Sequence, residues 1–311
     1  MRQAVSKFID PLELSRISDL QVLARTVVAG LGAGVHRSLH TGTSAEFAQY
    51  RSYAQGDDLR FVDWRLYGRT DRLHVKQFQD ESNVRATVLL DCSASMNYGS
   101  GPVTKFKYAQ MLAACLVMIM SDQRDEVGFA SYHRELVVHL PARRQKGQLN
   151  RLLGAIQDSE PAGNETDTAG VLQFLGDVLQ PRGMVVLIAD LLHPVEDMLA
   201  HLRSMRARRH DVLVLQVSDP AEQSFPFECS VTLVDLEGRR EQFAVPQDVR
   251  EIYLENRRRH FDTIHKACLS AEIDIEEFVC SEPLDRVLHH FVNRRNRGLL
   301  TTSRRQGRGS K

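Results

Sequence analysis

VRATVLLDCSASM, residues 84–96, is a continuous apolar run that breaks off at an aspartate followed by small hydroxyl residues. Such a run, without polar alternation, is the pattern of a strand buried on both faces. Two more follow, MVVLIAD at 184–190 and DVLVLQV at 211–217. Around them lie stretches of helical period at 105–121, 148–157, 168–179, 196–209, 249–270 and 284–293. Shorter strands fit 126–131, 136–140, 230–235, 240–244 and 274–279. This alternation predicts an α/β fold over 82–293: an open, doubly wound, mostly parallel sheet with helices on both faces. Residues 1–81 are expected to form a small accessory unit. It holds a helix at 10–29, a Gly/Ser/Thr-rich loop at 30–44, and short strands and turns from 46 to 80.

Composition narrows the class. The 311 residues are 42% hydrophobic and 26% charged, a globular balance. The 40 cations cancel the 40 acids, but unevenly. Residues 294–311 hold seven cations and no acids, which leaves the rest mildly acidic and predicts a basic, disordered tail. No nucleic-acid surface is expected. The five cysteines include no C-x-x-C, which argues against a zinc knuckle or a thioredoxin motif and fits a reducing compartment. The N-terminal residues lack the apolar core of a signal peptide, and the longest apolar run, 111–120, is about half a membrane span. A cytoplasmic protein without a transmembrane segment is expected.

In an open parallel sheet, ligands bind beyond the carboxyl ends of the strands. The first buried strand ends in Asp91-Cys92-Ser93-Ala94-Ser95 and the second in Asp190. Between them the polar loop Gly163-Asn164-Glu165-Thr166-Asp167-Thr168 leads into a helix. If these loops share one edge, they gather Asp91, Ser93, Ser95, Thr166 and Asp190. Two carboxylates and three hydroxyls are hard oxygen donors that suit Mg²⁺ and leave room for water or an outside carboxylate.

Asp-x-Ser-x-Ser, then Thr, then Asp resembles the metal-ion-dependent adhesion site of von Willebrand factor A-type domains. The resemblance implies that Ser93, Ser95 and Thr166 ligate Mg²⁺ directly or through water, and that Asp91 and Asp190 ligate it or hold its waters. Mn²⁺ and Ca²⁺ are the alternatives. It further implies an open coordination position for an Asp or Glu of a partner protein. Two features depart from the pattern. The family often has Asp-Gly at the last position, where this chain has Asp190-Leu191, and Thr168 rivals Thr166.

Phe47…Arg51-x-Tyr53-x-x-Gly56-Asp57-Asp58-x-Arg60-x-x-Asp63-Trp64, closed by Glu81, resembles the hallmark of a bacterial von Willebrand A-like family known as domain of unknown function 58. Members accompany MoxR-type AAA+ ATPases, so the resemblance implies a chaperone or assembly factor working beside such an ATPase. Read on its own residues, the Gly56–Trp64 stretch is a turn and an ion-pair network around Trp64, which fills an interface, or else a second acidic site.

The alternative is a Mg²⁺-dependent phosphohydrolase using Asp91. Phosphatases of the haloacid dehalogenase type need a second acid two residues on, and Ser93 stands there. No G-x-S-x-G, H-E-x-x-H or P-loop occurs, and a Cys92 nucleophile would need a histidine such as His193.

Overall fold

The three apolar runs become three neighbouring strands at the centre of one sheet. The computed structural model describes residues 10–35, 47–53, 62–78, 84–162, 166–180, 182–237 and 241–294. Among these the chain divides into two units, residues 1–31 with 84–311, and residues 32–83.

The larger unit begins with α1 (Pro11–Ser15) and α2 (Leu20–Val35), the latter passing into the second unit at Gly32. Then come β3 (Arg85–Asp91), α4 (Lys105–Asp122), β4 (Glu126–Tyr132), β5 (Leu136–Arg143), α5 (Gln148–Gln157), α6 (Thr168–Val178), β6 (Met184–Ala189), α7 (Glu196–Ala207) and β7 (Asp211–Ser218). The short α8 (Pro220–Ser224), the hairpin β8 (Val231–Val234) and β9 (Glu241–Ala244), α9 (Pro246–Ser270), β10 (Asp274–Val279) and a helix over 284–294 complete it. The smaller unit holds β1 (Phe47–Ser52), α3 (Trp64–Thr70) and β2 (His74–Phe78), with β1 and β2 antiparallel.

The main sheet has the order β10-β7-β6-β3-β4-β5. All pairs are parallel except the edge pair β4–β5. The expected α/β class with a mostly parallel sheet is the one found. β3 pairs with β4 on one side and β6 on the other, so the connections reverse direction at β3. In β6 every side chain is buried, and in β3 and β7 all but the first. Leu89, Val185, Leu187, Val212 and Val214 pack with α6, α7 and α9 in one cluster. The alternate residues, Val88, Leu90, Val186, Ile188, Leu213 and Leu215, are also fully buried. α4 touches four strands and is buried around nearly its whole circumference, as the apolar run from Met111 to Met120 requires.

The differences from expectation have local causes. The expected helix at 10–29 is two helices. Asp19 interrupts it by accepting the Gln21 amide (2.7 Å), an N-cap that starts α2 afresh. α2 then runs through the expected loop as far as Val35. Its Leu20, Leu23 and Val27 are fully buried, and residues 11–31 belong to the larger unit, so the smaller unit starts at Gly32 and not at residue 1. The second division, between Asn83 and Val84, falls close to the expected boundary after residue 81. The tail beyond Arg294 lies outside the described residues.

Gly128 of β4 sits where β5 folds back. A Cβ there would come within 2.7 Å of the Ala142 nitrogen and 2.8 Å of the Leu140 oxygen. Neither backbone atom can yield without breaking the ladder. We predict that Gly128→Ala destabilises the protein by about 1–3 kcal/mol, measured by urea unfolding, whereas Gly154→Ala, on open helix surface, has no such cost.

Candidate metal centre at the carboxyl edge

The reversal at β3 opens a crevice between the ends of β3 and β6. Asp91 ends β3 and Asp190 follows β6, whose Ile188 lies opposite Leu90. The loop carrying Thr166 is fastened to the same edge. The Ala162 amide donates to the Cys92 carbonyl (2.8 Å) and the Asp167 amide to the His133 carbonyl (3.1 Å). Asp167 also caps α6 by accepting the Gly170 amide (2.8 Å).

Asp91 has no exposure to solvent. Its Oδ1 accepts the Ser93 amide at 2.8 Å, whereas Oδ2 is buried with no hydrogen-bond partner. Burial first, and then the charge of Asp190, push its carboxyl up to about 7. A carboxylate oxygen left without a donor is costly to bury, and a cation or a proton would relieve that cost. Ser93, itself buried, precedes a single 3-10 turn (Ala94–Asn97) that swings Ser95 back, so the two hydroxyls are 3.0 Å apart. Thr166 donates its hydroxyl to Glu237 Oε1 at 3.0 Å. Thr168 is fully buried and donates to the Tyr132 hydroxyl (3.1 Å). The donor set fits Mg²⁺: oxygens only, two carboxylates, small hydroxyls and one orphaned carboxylate oxygen. Among the described residues no group of three His, Cys, Asp or Glu could hold a metal ion.

Asp190 is engaged otherwise than expected. Its Oδ2 accepts the Lys105 ammonium at 2.8 Å, and that ammonium also donates to Glu222 Oε1 at 2.6 Å. Lys105 is completely buried. Burial opposes its charge, but Asp190 and Glu222 outweigh that and hold the amine above its ordinary range. Burial keeps the Glu222 carboxyl above its ordinary value, against the pull of Lys105. Sequence reading missed Lys105, Glu222 and Glu237. Cations in the first turn of a largely apolar helix, Lys105 and Lys107, at the end that repels cations, were the available signal for Lys105. Glu222 had a signature too, the capping box with Asp219 that starts α8. Glu237 sits in a hairpin turn and had none.

The substitution of Leu191 for the family's glycine has a physical reason. Leu191 has φ 58°, the left-handed region, which costs a leucine roughly 1–2 kcal/mol. Its side chain is fully buried in the core cluster, which contributes about 1.5–3 kcal/mol. Burial offsets the strain, so the turn survives without glycine.

Cys92 is no nucleophile. Burial, and then Asp91, push its thiol up to about 12. Burial also lowers His193, against the opposing charges of Asp190 and Glu237.

A cleft of about 630 Å³ adjoins the site; Ser95, Lys105, Glu222, Phe225, Leu233 and Tyr253 are among its walls. In the smaller unit, Asp63 caps α3 by accepting the Arg65 and Leu66 amides (both 3.0 Å). This gives the expected strand-and-turn segment a helix. Trp64 meets Tyr67 edge-on. Arg51 lies in β1 and Tyr53 just after it, while Gly56, Asp57, Asp58 and Arg60 lie outside the described residues.

Residues 49–263 match the family model "DUF58: Protein of unknown function DUF58". The chain belongs to the DUF58 family. It is 29% identical over 245 residues to "Uncharacterized protein Rv1480" of Mycobacterium tuberculosis, covering 78% of this chain and 77% of that one. Solved structures similar to this DUF58 chain include conserved hypothetical protein BatB from Bacteroides thetaiotaomicron, with TM-score 0.47, 12% identity, and coverage of 68% and 98%. The SpRpn10 VWA domain is similar with TM-score 0.40, 12% identity, and coverage of 67% and 95%. No helix among the described residues is long and apolar enough to cross a membrane.

Two predictions concern this centre. Removing a buried cation from two buried carboxylates leaves them unpaired, so Lys105→Met should cost about 3–5 kcal/mol in urea unfolding, part of it recovered in Lys105→Met/Glu222→Gln. Asp91 binds its proton more tightly folded than unfolded. Its contribution to stability is therefore largest at low pH and falls as pH rises from about 4 to about 7. Without divalent cations, Asp91→Asn should gain stability relative to the unmodified protein across that window, on the order of a few kcal/mol by pH 7.

Proposed function

We propose that this DUF58 protein is a non-enzymatic, Mg²⁺-dependent protein-interaction module of the cytoplasm, acting with a MoxR-type AAA+ ATPase as a chaperone or assembly factor. The observation that carries the reading is the buried, unpartnered Oδ2 of Asp91 beside the paired hydroxyls of Ser93 and Ser95. This arrangement favours a cation. Bound there, Mg²⁺ would supply a Lewis-acidic position for a partner's carboxylate.

The chain's own residues do the rest. Asp91, Ser93, Ser95 and Thr166 would hold the ion, and Asp190, clamped by Lys105, would hold it or one of its waters. The MoxR partnership rests on the family resemblance. The phosphohydrolase alternative is not favoured: the position that should supply its leaving-group acid is Ser93, which is buried and hydrogen-bonded to Ser95.

Ser93→Ala should weaken Mg²⁺ binding by at least tenfold in calorimetry, with the unfolding midpoint nearly unchanged. A MoxR-type ATPase from the same cell should be retained by the immobilised protein with Mg²⁺ and lost with EDTA. An unchanged Mg²⁺ titration would refute the site, and phosphatase turnover abolished by Asp91→Asn would reinstate the alternative.

A further inference from the structure

The hairpin of β8 and β9 stands over the carboxyl edge and closes part of the cleft wall with Val231, Leu233, Val234 and Leu236. Its turn is shaped by Asp235, whose Oδ1 accepts the Glu237 amide at 3.0 Å. Glu237 Oε1 accepts the hydroxyl proton of Thr166, 71 residues earlier in the chain, at 3.0 Å. A hydroxyl that gives a lone pair to a cation must point its proton elsewhere, and a carboxylate is the strongest acceptor for it. Thr166 is already turned this way, with its proton committed to Glu237. The charge of Glu237 is also felt by Asp91, where it adds to the upward push on the carboxyl. Ser95 and Glu237 both line the cleft, so cleft and metal centre share an edge.

We propose that Glu237 is a built-in acidic ligand of this centre: the β8–β9 hairpin holds its carboxylate against Thr166, at the position a partner's carboxylate must take over. The inference rests on the Mg²⁺ reading above and deepens it. The site is then occupied from within when the protein is alone. A partner's acid succeeds only by displacing Glu237, and the apolar wall of the hairpin moves with it. Selectivity follows, because a lone carboxylate competes with a tethered one at high effective concentration. A partner segment with apolar residues beside its acid replaces both the carboxylate and the wall.

Mn²⁺ tests this as a paramagnetic stand-in for Mg²⁺. The relaxation of water protons reports how many waters the bound ion carries. In Glu237→Ala, relaxivity per bound Mn²⁺ should rise by the contribution of an inner-sphere water, and ¹³C-acetate should be broadened more strongly than with the unmodified protein. Glu237→Asp should restore part of the original behaviour. Glu237→Gln, which keeps an acceptor for Thr166 but loses the charge, should weaken Mn²⁺ binding by about tenfold. Equal relaxivity and equal Mn²⁺ affinity in all four proteins, with binding still lost in Ser93→Ala, would overturn the role of Glu237 and leave the metal centre standing. No Mn²⁺ binding by the unmodified protein would overturn both.

Discussion

A lysine ammonium sealed from water between two carboxylates organises the functional edge of this protein. Lys105 opens α4, Asp190 follows β6, and Glu222 belongs to α8 after β7. One cation therefore ties a central helix to the ends of two neighbouring strands. It sits at the positive end of the α4 dipole, where a lone cation would be unwelcome, so both carboxylates are needed to keep it charged. The consequence reaches the metal centre. Asp190 is held on one side by Lys105 (2.8 Å) and weakly on the other by the Leu192 amide (3.3 Å), which leaves Asp91 as the carboxylate with a free oxygen. The two aspartates of the motif are chemically unequal: one is balanced by a resident cation, and the other keeps a buried oxygen without a hydrogen-bond partner.

The carboxyl edge is assembled from parts far apart in sequence, and each part is fixed by a backbone requirement of its own. Ser93 and Ser95 converge because a 3-10 turn follows β3. The Thr166 loop is held by amides from Ala162 and Asp167. Leu191 keeps a left-handed turn open by burying its side chain. None of these devices depends on an ion being present, which fits a site prepared before its ligand arrives.

How much of this was legible follows from the range of each interaction. The buried strands were plain because double burial leaves each run almost wholly apolar, and most helices because amphipathic spacing is local. Strand β5 was read as ending at Leu140, just before Pro141. It continues to Arg143 because it is the edge strand and no partner needs a donor there. Asp63 was read within an ion-pair network around Trp64, and it caps α3. The motif residues at the carboxyl edge could be named because strand ends in an open sheet are the expected place for them, and their spacing resembled a known family. Lys105, Glu222 and Glu237 could not, because their partners lie 71 to 117 residues away. Such pairings follow from topology and leave no trace in local composition.

The path of α2 bears on how the two units are joined. Its buried leucines belong to the larger unit, and its last residues, from Gly32, to the smaller one. The smaller unit thus leaves the α/β body after Leu31 and re-enters it at Val84. It is an insertion, anchored at both ends, and not an appendage strung on the front. Cutting the chain before β3 would strip away Leu20, Leu23 and Val27 and bare the apolar surface they cover. The α/β body is discontinuous in sequence: it becomes complete only once the inserted segment has been synthesised and the chain has returned.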